Sequence, residues 1–240
     1  MSRSMHYVDS LAPQGDASTR RGHIASFTRL DPALERRNVY STKSMSARRV
    51  EELYPQWRAV MEERHIIAAI RNRVALERAA SAPPEVLYLL FGNPLNIGDM
   101  LRFLRENGKL PLVNLDLLSG FSRDSVNAEF FAANGAAGIV STHSEVLRAS
   151  CKLGLITVQR TFALDSGAVE AGLRATGQFL PDALEILPAI AAPRVAIRFR
   201  EIYPLLRVVA GGLIADLKEV ESVLAAGIDA VSVSDSRFWI

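Results

Sequence analysis

The sequence predicts an α/β protein, a small (β/α)8 barrel of the TIM type behind a disordered N-terminal extension. Three observations predict it. From His65 onward, short apolar runs alternate with amphipathic segments every roughly 20–25 residues, the rhythm of a parallel sheet with helices outside. Several amphipathic segments stop before a glycine, at Gly108, Gly135, Gly154 and Gly227, where a left-handed residue ends a helix. The segment Gly135-Ala-Ala-Gly138-Ile-Val-Ser141-Thr142 is echoed by Gly227-Ile-Asp-Ala230-Val-Ser-Val-Ser234, four βα units later, as half-barrel duplication would place it. That echo favours a closed barrel over an open doubly wound sheet.

Residues 1–64 form the extension. They are rich in Ser, Arg and short polar runs such as Ser18-Thr19-Arg20-Arg21, and they hold no sustained apolar period. One short helix is predicted near Arg48–Glu63. The extension carries 11 Lys+Arg against 8 Asp+Glu. Interspersed acidic residues argue against a basic RNA-binding arm or a targeting peptide. The plainest reading of the segment is a translation start at Met61, just before the first strand.

Residues 65–240 form the barrel. The predicted strands are Ile66–Ile70, Val86–Phe91, Leu112–Leu117, Gly138–Val140, Leu155–Gln159, Ala183–Leu187, Leu206–Ala210 and Ala230–Val233. Ile97–Glu106 places Met100, Leu101 and Leu104 on one helical face, and Asp216–Ala226 does the same for Leu217, Val220, Val223 and Leu224. About 200–250 residues is usual for this fold, so the helices must be brief or partly replaced by loops.

A chain of 240 residues, 49% hydrophobic, can bury a sizeable core. No apolar stretch approaches the ~20 residues needed to span a bilayer, and the start lacks the apolar core of a secretory signal. With one cysteine, Cys151, no internal disulfide forms. The expected compartment is the cytoplasm. The net charge is +2, and residues 65–240 carry 17 basic against 18 acidic groups, so no global field attracts nucleic acid.

Functional residues in such barrels sit at the carboxyl ends of the strands. Strand seven ends in Ala210-Gly211-Gly212, whose bare backbone suits close approach to an anion, and a following helix start would add its positive end. Strand eight supplies the hydroxyls of Ser232 and Ser234. Together they predict a phosphate grip. Strand three ends in Asn114-Leu115-Asp116, and alternation would put Asn114 and Asp116 on one side. Thr142 and His143 follow strand four, Arg160 follows strand five, and Glu185 lies in strand six between apolar neighbours. A ring of Asp116, Arg160 and Glu185 suits a polyol, with Asn114 and Thr142 beside it. No zinc-binding Cys/His cluster, Gly-x-Ser-x-Gly elbow, Walker loop or strand-end lysine is present, so neither a metal nor a catalytic residue is assigned. Arg194, Arg198 and Arg200 are candidates for contact with RNA.

These strand-end segments resemble the glycerol-3-phosphate-responsive antiterminator family, over about Ile66 to Trp239. The matching blocks are Ala69-Ile70-Arg71-Asn72, Asp116-Leu117, Gly138-Ile139-Val140-Ser141-Thr142, Gln159-Arg160-Thr161-Phe162-Ala163-Leu164-Asp165, Glu185-Ile186-Leu187-Pro188, Ala210-Gly211-Gly212-Leu213-Ile214, and Ser234 with Trp239. The resemblance implies a regulator, not an enzyme, that binds glycerol 3-phosphate or a related phosphorylated polyol as effector, needs no cofactor, and acts on leader mRNA of glycerol genes. It implies that Gly211, Gly212 and Ser234 hold phosphate while Asp116 and Glu185 read hydroxyls beside Arg160. Four positions depart from the family pattern: Asn114 stands where His is usual, His143 for Lys or Arg, Ala189 for Gly and Asp235 for Asn. The changes at His143 and Asp235 predict weaker anion binding or a different ligand. The competing expectations are a phosphosugar lyase, epimerase or isomerase using Asp116 and Glu185, and a sensor that touches protein partners. A homo-oligomer is compatible with each.

Overall fold

The computed structural model of the chain describes residues 52–240. The disorder expected of the segment before residue 52 lies outside the described residues. Eight parallel strands close in sequence order: β1 Ile66–Ile70, β2 Val86–Leu89, β3 Leu110–Asn114, β4 Gly138–Ser141, β5 Ile156–Phe162, β6 Ala183–Leu187, β7 Arg207–Gly211 and β8 Ala230–Val233. The last strand pairs back to the first, Ile67 beside Ser232. The expected (β/α)8 barrel is therefore the fold. Its strands are apolar almost throughout because both faces are covered, one by the barrel interior and one by helices.

The short helix α1 Pro55–Ala59 lies just ahead of the barrel. The crossover helices are α2 Arg73–Ser81, α3 Ile97–Glu106, α4 Val126–Ala133, α5 Ser144–Lys152, α6 Ser166–Gln178, α7 Ala192–Ile202 and α8 Leu217–Ala225. Brevity is what fits the barrel into so few residues, the crossover helices running from 8 residues in α4 to 13 in α6. After β8 there is only the 3-10 turn Ser236–Phe238, and buried Phe238 and Trp239 cover the sheet there. Asn72, Asp165 and Asp216 cap α2, α6 and α8 by accepting from the N–H groups of Ala75, Ala168 and Glu219 at 2.9, 2.7 and 2.9 Å. The four helix-ending glycines have φ between +72° and +87°, as expected.

The boundary expected at residue 64/65 falls inside the compact structure. Helix α1 runs into a π-helical turn, Val60–Arg64, and Trp57, Val60 and Met61 are buried in the cluster that fills the lower barrel. Glu62 of that turn pairs with Arg207 at 2.6 Å. The amino end of an eight-stranded barrel exposes apolar side chains unless something covers them, and this segment does. A chain begun at Met61 would lack the Trp57 ring.

Several strand ends also differ from expectation, β2 stopping at Leu89 and the largest differences falling at β3 and β5. β3 stops at Asn114, and Leu115–Leu117 curl into a 3-10 turn. β5 runs on to Phe162, so Arg160 lies within a strand rather than after it.

Alternation along each strand, and a stagger of about one residue per strand in a barrel of this shear, sort the inward side chains into layers of four from alternate strands. The register places Ile67, Leu112, Val158 and Val209 in one apolar layer. Above it, toward the carboxyl ends, lie Tyr88, Val140, Glu185 and Ser232, and then Ala69, Asn114, Arg160 and Gly211. The interior thus changes from apolar to polar two layers below the mouth.

Candidate binding site at the barrel mouth

Glu185 is the hub of the polar layers. It is 0% exposed. Its Oε2 accepts from Arg160 Nε at 2.7 Å, and its Oε1 accepts from the Ser232 hydroxyl, also at 2.7 Å. A carboxylate this deep must be paired, and here a charge and a hydroxyl pair it. Gly211 makes room for this arrangement. A methyl group there would sit 2.4 Å from Ser232 Oγ and 3.0 Å from Glu185 Oε1. Gly211 is therefore required by the close approach of the side chains beside it.

The same hydrogen bond changes the reading of Ser232. It lies one layer below Gly211, and its hydroxyl is already given to Glu185. It supports the floor of the site instead of meeting a phosphate at the rim. Arg160 uses only Nε for this contact, and among the described residues its two terminal nitrogens have no protein partner. They remain donors for a ligand.

Tyr88 escaped sequence reasoning. Its hydroxyl is fully buried and has no hydrogen-bond partner among the described residues. Burial, reinforced by the negative charge of Glu185 and partly offset by Arg160, pushes its phenol well above the ordinary value of 10.0. It is thus a neutral donor near that ion pair. The signal in the sequence was a hydroxyl-bearing ring in the otherwise aliphatic run of β2, on the same parity as Val86. Asn114 is also 0% exposed, and neither its oxygen nor its nitrogen has a partner.

The strand alternation from which a shared side was expected for Asn114 and Asp116 does not extend to Asp116. Asn114 ends its strand and faces the axis, whereas Asp116 has left the strand for the 3-10 turn. Its carboxylate accepts from the Ser141 hydroxyl and the Thr142 N–H, both at 2.7 Å. His143 Nδ1 lies 3.5 Å away and Arg123 Nε 3.9 Å. Asp116 ties the β3 loop to the β4 loop, and Thr142 is part of that tie. Asp116 and Glu185 are each committed to separate protein donors, which does not favour their use as an acid/base pair.

At the rim, Gly212 and Leu213 adopt φ of +77° and +59°. Among the described residues, the N–H groups of Gly212, Leu213, Ser234 and Asp235 donate to no protein acceptor. Ser234 is exposed, with its hydroxyl unengaged. These donors gather where β7 and β8 end, the usual phosphate corner of this fold. At the start of α8, Asp216 caps the Glu219 N–H, and Glu219 accepts from the Ala215 N–H at 2.7 Å. Asp235, expected to oppose an anion, is paired with Arg237, Nη2 lying 2.6 Å from its carboxylate. That guanidinium holds the Asp235 carboxyl below its usual range.

The three arginines assigned to RNA are not one patch. Arg198 pairs with Glu170. Arg200 pairs with Asp229 at 2.6 Å and donates to the Gly227 carbonyl at 2.6 Å, which puts it at the amino end of the barrel, away from the mouth. Only Arg194 is exposed.

Fold and site together define a (β/α)8 barrel with polar, partly unpaired layers toward the carboxyl ends of its strands. The sequence pattern described as "Glycerol-3-phosphate responsive antiterminator" matches residues 66–239, and the chain belongs to that family. A glycerol uptake operon antiterminator-related protein of Thermotoga maritima is 31% identical, with a TM-score of 0.65 over 72% of this chain and 96% of that one. The glycerol uptake operon antiterminator regulatory protein of Listeria monocytogenes is 26% identical, with a TM-score of 0.70 over 74% and 96%. The uncharacterized protein YgcP of Escherichia coli is 28% identical over 75% of this chain and 94% of its own. Among the described residues, no helix is long and apolar enough to cross a membrane.

Proposed function

We propose that this protein is a cytoplasmic, glycerol-3-phosphate-responsive transcription antiterminator. It binds a small phosphorylated polyol at the barrel mouth and then acts on the leader mRNA of glycerol-metabolism genes. The observation that carries the ligand is the set of unpaired N–H groups at Gly212, Leu213, Ser234 and Asp235, above a floor of unpaired polar side chains. Backbone amides hold phosphate without needing a cation. Their level lies two layers above Tyr88, about 5 Å along the axis. That is the reach of a two- or three-carbon chain, shorter than a hexose. Family membership supports the regulatory role.

A melting experiment tests the ligand. At about one hundred times its Kd, a ligand that binds only the folded state adds about 2.7 kcal/mol. For a protein of this size that is a rise of roughly 5–10 °C. Glycerol 3-phosphate raises Tm by such an amount, free glycerol does not, and Gly212→Asp abolishes the effect. No response to any phosphate ester, or a response undiminished in Gly212→Asp, overturns the ligand reading. Leader RNA binding then strengthens with the ester and weakens steeply with salt. RNA affinity indifferent to the ester removes the antiterminator mechanism.

A further inference from the structure

We propose that Tyr88 is the specificity-determining residue of this pocket: it donates its hydroxyl to the ligand oxygen farthest from the phosphate, while Asn114 pairs with the neighbouring ligand hydroxyl. The inference rests on the phosphorylated-polyol reading above and assigns the end of the ligand that the phosphate grip does not touch.

Two side chains argue for it. A buried hydroxyl without a partner is destabilising, and a phenylalanine would fill the same space without that cost. Tyr88 carries the hydroxyl regardless, wholly buried, inside the barrel and in the layer of Glu185 and Ser232. Asn114, one layer nearer the mouth, leaves both a donor and an acceptor unpaired at 0% exposure. Tyr88 thus offers one donor at the bottom of the pocket, and Asn114 can both give and take a hydrogen bond above it. A ligand with adjacent hydroxyls on its lower end satisfies all of these at once.

Ala69 and Gly211 complete the Asn114 and Arg160 layer, and the Ser232 and Glu185 side chains close over the bare Gly211 backbone. Arg160, in the Asn114 layer, reaches Glu185 from β5 through Nε. The phenol stays protonated far into the alkaline range, which keeps it a donor at working pH.

The test is calorimetric titration of the full chain and of Tyr88→Phe with four probes. These are glycerol 3-phosphate, 2-hydroxypropyl phosphate, 3-hydroxypropyl phosphate and inorganic phosphate. The second lacks the terminal hydroxyl and the third lacks the central one. The unsubstituted protein binds 2-hydroxypropyl phosphate at least roughly tenfold more weakly than glycerol 3-phosphate. Tyr88→Phe binds those two esters equally, still penalises 3-hydroxypropyl phosphate, and holds inorganic phosphate as before. Asn114→Ala gives the converse pattern. Ligand-free Tyr88→Phe melts at or above the unsubstituted Tm, because an unpaired hydroxyl has been removed. If Tyr88→Phe keeps the full preference for the terminal hydroxyl, or if ligand-free Tyr88→Phe melts well below the unsubstituted protein, the assignment of Tyr88 is wrong while the phosphate site stands. If the unsubstituted protein binds none of the four probes, both readings fall together.

Discussion

Glu185 and Tyr88 share one layer of the barrel, and each meets the cost of burial differently. Glu185 has a partner at each of its two oxygens, Arg160 and Ser232. Tyr88 keeps its proton because burial and the nearby Glu185 charge disfavour the phenolate more than Arg160 favours it. The second fact has a measurable result. In the unfolded chain the phenol ionises near pH 10, whereas in the folded protein it does not. Above that pH the folded state holds a proton that the unfolded state has lost, so stability falls as pH rises. Urea unfolding between about pH 9 and pH 11 shows a steeper loss for the unsubstituted protein than for Tyr88→Phe. Equal slopes would mean that Tyr88 ionises normally and is not sealed from water. Glu185 was legible as a residue needing a partner, since it stands between Leu184 and Ile186. Tyr88 was not, because a tyrosine in an apolar strand reads as core, and only the register reveals which face of β2 turns inward.

Among the elements, strands and helices were legible because both-faced burial and glycine stops leave strong local patterns. The strand ends were less so. Asn114-Leu115-Asp116 alternates like a strand, but alternation says nothing about where the backbone curls away. The chain leaves the sheet at Leu115, and Asp116 then finds Ser141 and the Thr142 N–H. The start of α8 carries its own acidic residues at the first turn, and these accept from the Ala215 and Glu219 N–H groups. Asp216→Ala removes a cap and lowers stability by about 1 kcal/mol in chemical denaturation. Glycerol 3-phosphate affinity does not fall with it, because the unpaired amides lie upstream at Gly212 and Leu213. A marked loss of affinity in Asp216→Ala would place the phosphate on the helix after all.

At the scale of the whole molecule, the segment before β1 belongs to the barrel although its composition reads as an appendage. Trp57 is 2% exposed and joins Val60 and Met61 in the lower core. Such a short stretch carries too few apolar residues to show a period, so its burial could not be read in advance. Trp57→Ala lowers stability by about 3–5 kcal/mol, roughly 6–20 °C in Tm. A change within about 1 kcal/mol would show that the ring packs loosely. With the lower end stoppered and the layer above it filled by aliphatic side chains, the polar groups of the interior are sealed off from below. A small molecule inside can come and go only past the loops above it. Any macromolecule seated on that rim therefore governs how long the occupant stays, whatever it does to the strength of its hold.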